Sequence, residues 1–150
     1  MITSSKIPLF WFYWLVIEII GVILFGISMI LVPNLILNFF SLLIYSSPNH
    51  IESQFGANAA AYITLVHGVL GAVMSGWGIS LLLILSGPLR RGSREGWLIL
   101  STSVSVWFVT DTLFSLWTGF WQNAALNLVF ALLFTIPLAA IYKIFKNNQT

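Results

Sequence analysis

LFWFYWLVIEIIGVILFGISMILV, residues 9–32, contains one residue of the Asp, Glu, Lys, Arg and His set, Glu18, and is otherwise almost continuously apolar. At ~1.5 Å per helical residue it crosses a hydrocarbon core of ~30 Å with some tilt. It is too long for a signal-peptide apolar region and lacks a small-residue cleavage site, so it is expected to persist as a first membrane helix. Pro33 is expected to stop it, because proline has no N–H for the next helical turn. Three further apolar stretches follow, at about 59–86, 97–120 and 124–145. The links between these last three are short and make them antiparallel neighbours. The expected fold is all-α: a four-transmembrane-helix up-down bundle, residues 1–150 forming one integral membrane domain.

Composition points the same way. Hydrophobic residues make up 59% and charged residues 7% of the chain, against about 25% charged in a soluble domain. Mean hydropathy is +0.97. The six Lys and Arg behind the net charge of +2 lie in the flanks of the apolar stretches, where they meet anionic headgroups, so membrane lipids are expected partners and nucleic acid is not. Cysteine is absent, which excludes disulfides, thiolate metal sites and cysteine nucleophiles.

Orientation follows from the cations. Lys6 precedes the first stretch, Arg90, Arg91 and Arg94 lie between the second and third, and Lys143 and Lys146 close the fourth. The segments 33–58 and 121–123 contain neither Lys nor Arg. The positive-inside rule therefore places both termini in the cytoplasm. The Asn148-Gln149-Thr150 sequon falls on that side and is not expected to be used.

Between the first two spans, residues 34–45 (NLILNFFSLLIY) place Asn34, Asn38 and Ser41 on one narrow stripe. That pattern suits a short helix in the outer interface or tucked against the bundle, too short to span. Residues 46–56 read as a polar turn carrying Pro48, His50 and Glu52. His50 and Glu52 supply only two metal-ligand types in a loop, which ordinarily means solvated surface. Aromatics agree with this depth: Trp11, Tyr13, Trp14, Trp97 and Tyr142 fall toward the cytoplasmic interface, and Tyr62, Trp117 and Trp121 toward the outer one. Trp77 and Trp107 fall deeper, where an indole N–H needs an acceptor.

Each span carries a polar group: Glu18, His67, Asp111 and Asn127 in turn. An Asp at a helix centre costs roughly 2.5–3.5 kcal/mol on insertion scales, so such residues turn inward and find partners. Counting from the helix centres puts His67 and Asp111 at similar depth, close enough to hydrogen-bond if their helices pack antiparallel. Glu18 lies nearer the midplane, where desolvation disfavours its charged form. Asn127 could cap the same cluster. Glu18, His67, Trp77, Trp107, Asp111 and Asn127 are the candidate ligand-binding residues.

Helical spacing aligns Thr64, His67, Gly71, Ser75 and Gly78 on the second span, a small-residue stripe that lets backbones approach. On the third, Ser101, Ser105, Phe108, Asp111, Thr112, Ser115 and Gly119 share a side. Those hydroxyls suit either tight packing, by bonding their own i−4 carbonyls, or a hydrated cavity. Pro137 frees a carbonyl one turn earlier in the fourth span. No G-x-S-x-G or phosphate-binding glycine loop occurs, and Glu18, His67 and Asp111 lack HxxxH or ExxH spacing. Catalytic residues, metal ligands and cofactors are therefore not expected.

HGVLGAVMSGWGISLLL (67–83), RRGSREGW (90–97) and WFVTDTLFSLWTGFWQNAALN (107–127) resemble a group of small four-helix bacterial membrane proteins, loosely DoxX-like in layout. The resemblance covers about residues 62–140 and implies four helices in a bacterial inner membrane. It carries no activity over. Three functions stay open: a site for a lipophilic small molecule, a structural or accessory subunit without a ligand, and proton-coupled transport by an assembly of copies. A homo-oligomer is compatible with all three.

Overall fold

The computed structural model describes residues 7–48 and 50–147, with side chains as far as Lys143. Lys6, the Lys146 side chain and the sequon at 148–150 lie outside the described residues. Among the described residues six α-helices occur in order: α1 (Leu9–Leu31), α2 (Pro33–Tyr45), α3 (His50–Phe55), α4 (Ala57–Ile84), α5 (Arg94–Trp117) and α6 (Trp121–Asn147). No strand occurs among the described residues. Four helical segments among the described residues are long and apolar enough to cross a membrane: Leu9–Leu31, Ala57–Leu89, Arg94–Trp117 and Trp121–Lys143. The chain is a small all-α, multi-pass membrane protein. Helices are the form hydrocarbon demands, because each span satisfies its backbone internally.

Several boundaries differ from those expected, each for a local reason. Pro33 does not merely end α1. It sits in the first turn of α2, where its missing N–H would have had no partner anyway. Residues 50–55, read from sequence as part of a polar turn, form α3. The second span does not stop at residue 86: a π-turn, Leu85–Leu89, extends it through Pro88. Pro88 has no N–H to give, and the wider turn lets the Arg90 N–H reach the Leu85 carbonyl at 3.0 Å. Helix α5 starts three residues earlier than expected because Ser93 caps it, its hydroxyl accepting from the Gly96 N–H at 3.3 Å. It also ends earlier, in a turn that uses Gly119 at φ +85°.

The helices pack as two compact units, residues up to Ile20 with Ile79 onward, and Gly21–Gly78. In the first, α5 packs against α6, and Leu100, Phe134 and Ile141 are among its fully buried side chains. Two indoles bond to α6 carbonyls: Trp14 Nε1 donates to Leu133 at 3.0 Å and Trp97 Nε1 to Leu138 at 2.8 Å. Leu133 lies four residues before Pro137, so its carbonyl is the one that proline leaves without a helical donor. The carbonyl that proline orphans is thus taken by α1. Trp14→Phe should lower stability in detergent by about 1 kcal/mol. The loss should shrink in a Pro137→Ala background, where the helix supplies its own donor. Equal losses in both backgrounds, measured by thermal unfolding, would disprove the link.

In the second unit, the stripe on α4 meets α1 at its glycines. A Cβ at Gly26 would stand 2.7 Å from the Gly71 carbonyl oxygen and 2.7 Å from Ser75 Oγ. Backbones this close exclude side chains larger than hydrogen. Leu37 of α2, Ile51 of α3 and Ala60 of α4 form a small core, with Ile63 packed against it.

Candidate functional site

In the α5–α6 hairpin a polar cluster assembles around Asp111. Ser115 Oγ lies 2.7 Å from the Asp111 carbonyl and 3.2 Å from Asp111 Oδ1. Asn123 Nδ2 donates to Asp111 Oδ1 at 3.0 Å and to Ser115 Oγ at 2.8 Å. A turn farther along, Asn127 Nδ2 reaches Thr112 Oγ1 at 3.5 Å, the limit of a hydrogen bond. Asn127 and Ser115 are buried, Asp111 and Thr112 partly so. The carboxylate is thus served by an amide and a hydroxyl, the arrangement that lets an acid persist in a span without a cation.

Asn123 was not singled out by sequence reasoning, which placed it in the connection between spans. The observed α6 begins at Trp121, and this adds a first turn that presents Asn123 to Asp111. The missed signal was the spacing 123/127, one turn apart on the face that meets α5. The hydroxyls of Thr110, Ser115 and Thr118 bond the carbonyls four residues back, at 2.7, 2.7 and 2.8 Å.

Glu18 is partly buried on α1 and has no hydrogen-bond or ion-pair partner among the described residues. His67, on α4, stacks on Phe40 of α2, ring centroids 5.0 Å apart and planes at 24°. Its Nδ1 is buried without a hydrogen bond. Trp77 on α4 and Trp107 on α5 are partly buried and both have interaction partners. No group of three or more His, Asp or Glu suited to a metal occurs among the described residues.

A cavity of about 290 Å³ opens between α2 and α3, lined by Asn34, Leu37, Asn38, Ser41, Ile51 and Glu52. The expected stripe of Asn34, Asn38 and Ser41 forms its α2 wall. Ser41 is fully buried and its hydroxyl accepts from the His50 N–H at 3.1 Å, fixing the start of α3 against α2. The His50 ring stacks on Tyr45 at 4.3 Å, so the imidazole is held by α2 while Glu52 lines the cavity. Leu37 and Ile51 also belong to the small α2–α3–α4 core, so the cavity has an apolar floor and a polar wall. Its volume sits at the lower end of the ~300–1,000 Å³ usual for small-molecule sites.

Comparison with known proteins adds no family: no protein-family model, curated protein or solved structure matches the chain.

Proposed function

We propose that this membrane protein binds an amphiphilic, lipid-like molecule and holds its polar end in the cavity between α2 and α3. The observation that carries the reading is the cavity itself, two amides, a hydroxyl and one carboxylate set over Leu37 and Ile51. It lies in the segment that joins two candidate spans, and a short apolar helix with a polar stripe in such a segment suits the interface, where a lipid passes from headgroup to chain. The Phe40–His67 stack ties α2, which carries the cavity's amides, to the polar stripe of α4. By the positive-inside rule both termini are cytoplasmic and the cavity faces outward, in a bacterial inner membrane as the DoxX-like resemblance implies.

The test is native mass spectrometry of the detergent-solubilised protein with dioleoyl phospholipids added. Asn38→Trp, which fills the cavity, should remove most of the retained lipid, and Asn34→Trp should act alike from the rim. Unchanged lipid retention in both variants, with unfolding midpoints intact, would refute the reading.

A second reading is supported by the Asp111 cluster. An acid whose neighbours already satisfy it inside one hairpin acts as interhelical glue, the behaviour of a structural or accessory subunit.

A further inference from the structure

We infer that the α2–α3 cavity selects a primary-ammonium phospholipid headgroup, of the phosphoethanolamine type; this rests on the lipid-binding reading above. The argument is one of charge and donor count. Among the described residues that line the cavity Glu52 is the single charged one, and no Lys or Arg occurs anywhere between Lys6 and Arg90. An anionic headgroup would therefore meet a like-charged carboxylate with no neighbouring cation to offset it. A zwitterion carrying an ammonium offers Glu52 an opposite charge instead.

The same lining separates primary from quaternary ammonium. Choline sites rely on aromatic faces around a cation that has no N–H to donate. None of the described lining residues is aromatic. What the cavity presents are hydrogen-bond acceptors: the Glu52 carboxylate and the amide oxygens of Asn34 and Asn38. A primary ammonium has three N–H donors for such acceptors, and charge-assisted bonds of this kind are the strong ones. The amide N–H groups of the same asparagines remain for the adjoining phosphate. Ser41 is already committed to His50, so it shapes the wall more than it recognises. The volume of about 290 Å³ admits a headgroup, leaving the acyl chains to run along the outside of the helices.

Competition in native mass spectrometry tests this, using dioleoyl phosphatidylethanolamine, phosphatidylcholine and phosphatidylglycerol. The wild-type protein should retain the ethanolamine lipid over the other two. Glu52→Gln should weaken ethanolamine-lipid retention about tenfold, close to the choline-lipid level, without changing how much choline lipid is held. Equal retention of all three lipids by the wild type, or an unaltered preference in Glu52→Gln, would overturn the inference. Soluble O-phosphoethanolamine bound at matched concentration by a protein that retains none of the three lipids would also overturn it, assigning the site to the free headgroup molecule. Failure of the headgroup inference stays distinct from failure of the lipid-binding reading. In the first case Asn38→Trp still strips lipid while Glu52→Gln does nothing; in the second, neither variant changes retention.

Discussion

Gly71→Ala is expected to cost this protein about 3 kcal/mol, the upper end of what overpacking a tight contact does. The added methyl would collide with the Gly26 carbonyl oxygen and lie 2.8 Å from Met29 Cβ. Backbone oxygen cannot rotate away, so α1 and α4 would have to separate at this point, surrendering the close approach of Gly26 to Gly71 and Ser75. Gly68, three residues earlier on α4, is the control: a Cβ there meets nothing within 4 Å. Gly68→Ala should be neutral or stabilising by up to about 1 kcal/mol, since alanine favours helix over glycine. Thermal unfolding of both variants in one detergent decides the matter. Similar midpoints for the two alanine variants would mean that α1 and α4 are not in close backbone contact there.

The second large effect belongs to Asn123. Asn123→Ala deletes the donor that serves both Asp111 Oδ1 and Ser115 Oγ, leaving a partly buried carboxylate with one hydroxyl. Interhelical hydrogen bonds in membranes average well under 1 kcal/mol, but one to a charged acceptor is worth more. A loss of about 2 kcal/mol is expected. In an Asp111→Leu background, where no carboxylate remains to be stranded, the same substitution should cost far less. The coupling between the two sites would then be about 1 kcal/mol or more. Additive losses would show that Asn123 and Asp111 do not share an interaction, and would withdraw the glue reading of this cluster.

These two sites also show how unevenly the chain could be read. The stripe through Gly71 and Ser75 was visible in the spacing of small residues, because a 3.6-residue repeat alone determines which positions share a face. Its partner was not: nothing in the sequence pairs that stripe with Gly26 rather than with another helix. Asp111 and Asn127 drew notice as polar groups inside apolar runs. Asn123 escaped because its role depends on where α6 begins, and that start is a matter of how the chain leaves the Thr118–Phe120 turn. The sequence groups Trp14 with the interfacial aromatics, and the structure adds that its indole answers the carbonyl that Pro137 leaves open. The proline's effect was predictable from chemistry; which side chain would answer it was not.

The four spans, the absence of strands among the described residues and the short α2 were written in the sequence, because hydrocarbon leaves a 20-residue apolar run no alternative to helix. The tertiary structure alone decided that α3 folds back on α2 through Ser41, that a π-turn carries the second span past Pro88, and that the polar stripe of α2 lines a cavity with Glu52. The physical reason is that periodicity records which residues on one helix face the same way, while the partner across the gap is chosen by packing and hydrogen bonding among elements distant in the chain.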